Sequence, residues 1–194
     1  MLNNMFLICG LGNPGRKYVN TRHNVGFELI EKLINKYNFL PIKKDKEKEL
    51  YKGKIGSYSC ILMKPLTYMN LSGVPVKEIL NFYKINKNKL YIIHDDLDLK
   101  ISKVKIKIGG GNGGHNGLLS IDDAIGKNYN RIRIGIDHPG SKILVSRYVL
   151  NKFSNDEIKI IDNKLNNISD FFELILEDTA LFLTRLAEIK NNGI

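Results

Sequence analysis

Met5-Phe6-Leu7-Ile8-Cys9-Gly10-Leu11-Gly12-Asn13-Pro14-Gly15 is the stretch on which the fold turns. An apolar run of strand length that breaks into a glycine-rich Asn-Pro turn reads as a strand buried on both faces, as in a parallel sheet covered by helices. The chain beyond it fits that frame. Leu29, Ile30, Leu33, Ile34 and Tyr37 share one helical face. Residues 58–63 and 90–93 form further apolar strands. Between them the pattern predicts a helix that starts at Ser72 as its cap, tolerates Pro75 in its first turn and continues through Ile79, Leu80 and Tyr83. Residues 103–108 alternate Lys with aliphatic side chains and residues 131–136 alternate as well, so each predicts a strand. A helix through Leu118, Leu119, Ile121 and Ile125 lies between those two. From about Asn155 to Lys190 the chain reads as helical, with a break at Asn166-Asn167. The run Lys43-Lys44-Asp45-Lys46-Glu47-Lys48-Glu49 reads as a solvated loop. The fold class is α/β: a single domain over residues 1–194, with a twisted mixed β-sheet flanked by helices.

Composition agrees. A chain of 194 residues that is 43% hydrophobic can bury one sizeable core. The apolar run at residues 5–9 is short and lacks a basic leader, so it does not read as a signal peptide. No run approaches the roughly 18 apolar residues of a membrane span, and a soluble protein is expected. Cys9 and Cys60 sit in strand-like apolar runs, where a thiol behaves as a small buried hydrophobe, consistent with a reducing cytoplasm. The net charge of +10 suggests a polyanionic partner, since a basic surface gains from counterion release. However, Lys supplies 24 of the 30 basic residues in a chain also rich in Asn and Ile, as codon bias alone would produce. Charge by itself leaves both readings open.

Polar groups recur where the predicted strands end: Asn13 after the first, Tyr68-Met69-Asn70 after the second, His94-Asp95 after the third. In open α/β sheets that carboxyl edge is where ligands bind. The formal G-x-G-x-x-G match at Gly10–Gly15 is a poor dinucleotide site, because Asn-Pro favours a turn where a helix should meet the pyrophosphate, and no acidic strand end follows at the right distance. A P-loop fails too, with Arg16 where Lys is required. His23 alone could be a surface or capping residue, and the carboxylates of His94-Asp95-Asp96-Leu97-Asp98 could hold an ion or orient a base. Histidines at 23, 94, 115 and 138 lack zinc-type spacing, so no metal is expected. Six glycines in residues 109–117 favour a backbone that passes close to a bulky ligand over a plain linker. With no nucleophile elbow or thiol-protease context, hydrolysis would use water activated by a His-carboxylate pair.

Together these blocks resemble the bacterial-type peptidyl-tRNA hydrolase family. Gly10–Gly15 with Tyr18 and Thr21-Arg22-His23-Asn24-Val25-Gly26 is similar to its opening signature, and Lys64-Pro65-Leu66-Thr67-Tyr68-Met69-Asn70-Leu71-Ser72-Gly73 to its second block. His94–Asp98, the glycine run 109–117 and Arg131-Ile132-Arg133-Ile134-Gly135-Ile136 follow in the family's order. The resemblance implies a monomeric, cofactor-free enzyme that cuts the ester between a peptide and the 3′ end of tRNA. It implies His23 as base and Asp95 as its partner, with Asn13, Asn70 and Asn116 holding substrate and water and Tyr18, Tyr68 and Met69 lining the cleft. Lys105, Lys107 and Arg133 are implied to meet tRNA phosphate. A regular strand would put Lys103, Lys105 and Lys107 on one face with Val104, Ile106 and Ile108 packed inward, and Arg131 beside Arg133 on a second face that could complete the patch. Asp96 stands where the family often has Glu, Asn112 where it has His or Ser, and Lys100-Ile101-Ser102 replaces a Pro/Gly turn. The stretch 149–194 carries no signature and is expected, from the family, to cover one side of the cleft. A non-catalytic RNA-binding relative and a dinucleotide-dependent oxidoreductase are the rival readings.

Overall fold

A computed structural model describes residues 5–191. Its elements in chain order are β1 (Met5–Gly10), α1 (Val25–Tyr37), β2 (Leu40–Lys44), β3 (Lys48–Ile55), β4 (Tyr58–Pro65), α2 (Gly73–Phe82), β5 (Leu90–Asp96), β6 (Val104–Ile108), α3 (Asn116–Ile125), β7 (Asn130–Gly135), α4 (Val145–Leu150), α5 (Asn155–Asp170), α6 (Phe172–Glu177) and α7 (Thr179–Asn191). The strands form one seven-stranded sheet in the order β2-β3-β4-β1-β5-β7-β6. Its centre, β4-β1-β5-β7, is parallel, and antiparallel strands close both sides.

β1 is central because both its faces are apolar. Phe6 and Ile8 enter one core with Leu29 and Leu33 of α1 and Leu165, Ile168 and Phe172 of the C-terminal helices. Leu7 and Cys9 enter the other, with Val76 and Ile79 of α2 and Leu118 and Ile121 of α3. At the end of β1, a Cβ on Gly10 would lie 2.2 Å from the carbonyl oxygen of Gly26, so two glycines let the first turn of α1 press onto the strand. That close approach sets the place of the turn before α1, which carries His23. No helix among the described residues is long and apolar enough to cross a membrane.

Local pattern misleads at several points. The run 43–49 is the tight hairpin from β2 to β3, and Lys48 and Glu49 are buried at its end. Lys48 pairs with Glu78 at 2.6 Å and Glu49 with Lys64 at 2.6 Å, partners outside the run; Glu49 also pairs with Lys44 at 2.5 Å within it. Ser72 stands before α2 but does not cap it; its hydroxyl donates to the Met69 carbonyl and closes a short 3-10 turn instead. α5 runs through Asn166-Asn167 and ends at Asp170, because Leu165 and Ile168 on either side are buried and hold the helix. Lys103 precedes β6, and Ile108 at its end is 66% exposed rather than packed inward. His94 and Asp95 lie within the C-terminal end of β5 rather than following it.

Glu28, on α1, is half-buried, and its Oε1 has no hydrogen-bond partner among the described residues. Burial outweighs the nearby Lys32 and the Asn20 N–H and pushes its carboxyl up to about 7 from an ordinary 4.5. A folded pKa above the unfolded one means the protonated form favours the fold: that stability is complete below the unfolded value and is lost as pH rises through about 7. Glu28→Gln, which cannot ionise, is therefore expected to raise Tm by about a few degrees near pH 8 and by much less near pH 5. Thermal melts at the two pH values check this; an equal difference at both would remove the carboxyl's charge as the cause.

Candidate active site

The carboxyl ends of β1, β4 and β5 open into a cleft of about 1140 Å³, lined by Asn13, Tyr18, His23, Tyr68, Met69, Asn70, Asp95, Asn116, Lys107 and Arg133. Of the site residues that the family resemblance implies, Lys105 lies off the lining; it is exposed on β6, directly across the ladder from Arg133.

His23 sits in a 3-10 turn, Arg22–Asn24, held from both sides. Outside, the Arg22 guanidinium donates to both carboxylate oxygens of Glu157 at 3.1 and 2.8 Å and to the Lys152 carbonyl at 3.1 Å, and lies 4.1 Å over the Tyr148 ring. Inside, Asn24 clasps the backbone of Asn13: its Oδ1 accepts from the Asn13 N–H at 2.8 Å and its Nδ2 donates to the Asn13 carbonyl at 3.0 Å. The Asn13 side chain then accepts from the Met69 N–H through Oδ1 at 3.0 Å. With Oδ1 so engaged, Nδ2 is the donor that Asn13 offers in this cleft.

Asp95 lies between two imidazoles. His23 Nδ1 is 2.8 and 3.0 Å from its two oxygens, and His115 Nε2 is 3.0 Å from Oδ1. Burial alone would raise the Asp95 pKa, but His23 and His115 outweigh it and hold the carboxyl well below the usual carboxylate range. An ionised carboxylate only accepts, so in the neutral imidazole of His23 the proton sits on Nδ1 and the lone pair on Nε2. The tautomer of His115 follows from a different interaction. It is the N-cap of α3, and its Nδ1 accepts from the backbone N–H groups of Gly117 and Leu118 at 3.1 and 3.3 Å, so its proton is on Nε2, facing Asp95. His94 packs edge-on against His115, ring centroids 5.2 Å apart, and donates from Nδ1 to the Asp95 carbonyl at 2.7 Å. Burial, with His115 beside it, keeps His94 well below the ordinary imidazole range and hence neutral.

His23, Asp95 and His115 each bring a ligand atom within 4.8 Å of the others, a grouping that could hold a metal ion and that sequence spacing did not suggest. The helix cap opposes that use. Ligation through His115 Nε2 would displace its proton to Nδ1, where two N–H donors already point.

A family model described as peptidyl-tRNA hydrolase matches residues 7–192. The chain belongs to the peptidyl-tRNA hydrolase family. It is 49% identical over 188 residues to the peptidyl-tRNA hydrolase of Rickettsia prowazekii (strain Madrid E), covering 96% of this chain and 98% of the relative. The Rickettsia canadensis (strain McKiel) protein of the same description is 46% identical over the same shares. A crystal structure of peptidyl-tRNA hydrolase from Acinetobacter baumannii superposes with a TM-score of 0.88 at 39% identity, covering 96% of each chain. The mixed sheet with flanking helices is thus the family's fold.

Within that family frame, three roles escaped the sequence. Asn24 and His115 each stood beside a residue singled out, but nothing in their spacing told which atoms they would bond. A further wall of the cleft, made of His138, Lys142, Val145, Ser146, Val149 and Leu150, comes from α4 and the segment before it, so among the described residues from 149 onward only Val149 and Leu150 line the cleft. Arg131 goes against expectation. It is 2% exposed, pairs with Asp122 at 2.9 Å and donates to the carbonyls of Gly111 and Gly110, so it braces the glycine loop and is not free for phosphate. In that loop Gly109, Gly110, Gly113 and Gly114 have positive φ, which explains the residue choice at those positions.

Proposed function

We propose that this chain hydrolyses the ester linking the carboxyl-terminal carbonyl of a peptide to the terminal adenosine of tRNA, with water as nucleophile and His23 as general base. The observation that carries the reading is the bond from His23 Nδ1 to an ionised, buried Asp95, which leaves His23 Nε2 as the basic nitrogen in the cleft. Nε2 takes a proton from water as the oxygen attacks the carbonyl, and Asp95 stabilises the imidazolium that forms. The same proton then goes to the departing ribose oxygen. The Nδ2 of Asn13 and the amides of Asn70 and Asn116, both exposed in the cleft, supply donors for the developing oxyanion and partners for the peptide amide without adding a titrating charge. Tyr18, Tyr68 and Met69 give the peptide an apolar bed. The one-sheet chain works as a single domain and a cytoplasmic monomer, without metal or cofactor. Release of the blocked amino acid from N-acetyl-aminoacyl-tRNA tests the activity; failure of the folded protein to release it rejects the reading.

Lys105, Lys107 and Arg133 share one face of β6 and β7, with Lys105 paired to Arg133 in register, and form the tRNA phosphate site. Lys107→Ala and Arg133→Ala are expected to raise KM for full-length peptidyl-tRNA and to flatten its salt dependence by about one unit of slope for each phosphate no longer neutralised. On a minimal N-blocked aminoacyl-adenosine ester the effects should be at least about fivefold smaller, since that substrate is too short to reach the patch. Equal effects on both substrates would move these residues from phosphate binding to support of the fold.

A further inference from the structure

We infer that Asp96 is a positioning residue for phosphate binding: it aims the Arg133 guanidinium and ties its location to that of Asp95. The inference rests on the assignment of Arg133 to phosphate. Arg133 Nε donates to Asp96 Oδ2 at 2.6 Å, and the pair is largely shielded, with side chains 21% and 11% exposed. Asp96 is itself fixed, because its Oδ1 accepts the Asp98 N–H at 3.0 Å within the turn that ends β5. Both oxygens of one carboxylate are therefore engaged, one by the local turn and one by the arginine. A guanidinium carries five N–H donors in a rigid plane, so holding Nε fixes the plane and leaves the four Nη hydrogens free to meet two phosphate oxygens. Arg133 and Asp96 both line the cleft. Lysines 105 and 107 lack such a brace among the described side-chain bonds, so the directional part of phosphate binding falls to Arg133.

The strand supplies the second half of the inference. In β5 successive side chains point to opposite faces, so Asp95 turns toward His23 while Asp96 turns to the face that carries Arg133 and Lys105. His94 pairs in register with Arg133, Asp95 with Ile134 and Asp96 with Gly135, so Asp96 lies on the same face as Arg133, two positions along the ladder. Two adjacent residues thus set the separation between the base that activates water and the group that grips phosphate. An RNA docked on Arg133 is thereby placed in one register relative to His23.

A plain charge effect predicts the opposite sign. If Asp96 merely neutralised Arg133, its removal would add local positive charge and tighten RNA binding. Under the positioning role, Asp96→Ala raises KM for full-length N-acetyl-aminoacyl-tRNA by about five- to tenfold, flattens the salt slope by about one unit and affects the minimal aminoacyl-adenosine ester several-fold less. In an Arg133→Ala background the same substitution should add almost nothing, since two residues acting through one interaction are not additive. Asp96→Asn, which keeps one acceptor oxygen, should fall between wild type and Ala. The measurements are KM and kcat on both substrates across a salt series, with thermal melts to compare only folded proteins. An unchanged or lowered KM for Asp96→Ala, a steeper salt slope, or full additivity with Arg133→Ala overturns the inference. If Arg133→Ala alone leaves KM unchanged, the phosphate assignment fails, and that outcome is distinguishable from a failure of Asp96.

Discussion

Replacing His23 by alanine is expected to lower turnover of N-blocked aminoacyl-tRNA by about 10²–10⁴, the range for loss of a general base. The size follows from what the cleft keeps. Asn13 Nδ2, Asn70 and Asn116 remain to bind substrate, so KM should change far less than kcat. What disappears, on the proposed mechanism, is the lone pair that takes the water proton, and among the described imidazoles of the cleft none replaces it: the Nδ1 lone pairs of His115 and His138 already accept backbone N–H groups, and the neutral His94 is buried. The fold should tolerate the change, because the turn is held by Arg22 and Asn24 on either side. Steady-state kinetics on a folded His23→Ala protein decide it. Near-normal kcat would remove His23 from the chemistry, and an effect confined to KM would make it a binding residue.

Asp95→Asn should cost turnover on the same scale, about 10²–10⁴, by a different route. The carboxylate accepts from two imidazole N–H groups, and an amide offers one oxygen and one NH₂. Both rings reach Oδ1, so an amide oxygen there can serve both, but the NH₂ donor then takes the Oδ2 place, 3.0 Å from His23 Nδ1. His115 is locked as the Nε2–H tautomer by the α3 cap, so the conflict falls on His23, whose proton shifts to Nε2 and leaves no base in the cleft. The imidazolium of the transition state also loses its counter-charge. Adding Asp95→Asn to His23→Ala should therefore do little further harm, since both remove one function. A pH–rate profile of the single variant that kept wild-type shape and height would break the proposed pairing.

Several features were legible because they are local. The apolar run at 6–9 alternates between two cores, as a strand buried on both faces must, and the i, i+4 spacing of Leu29 and Leu33 gives the buried face of α1. Where local pattern met a distant partner it failed. Lys48 and Glu49 look like surface charges in a charged run, and they are buried because Glu78 and Lys64 complete them. Arg131 and Arg133 are indistinguishable by period, sharing one face of one strand. Asp122, at the buried end, takes the first, and Asp96, beside the cleft, leaves most of the second available.

The sequence by itself determined the α/β layering, the strand ends at which polar groups gather, and the family, since side-chain period and motif order are properties of the chain. Tertiary structure decided which atoms act. His23 and Asp95 are 72 residues apart and His115 a further 20, so their protonation states depend on partners that no local spacing encodes. The cap on α3 sets the His115 tautomer, that tautomer and His23 together keep Asp95 ionised, and Asp95 in turn leaves the His23 Nε2 lone pair free. A hydrogen-bonded chain of this kind exists only once the sheet has brought its members within about 3 Å, because proton position is fixed by the partner on the other nitrogen.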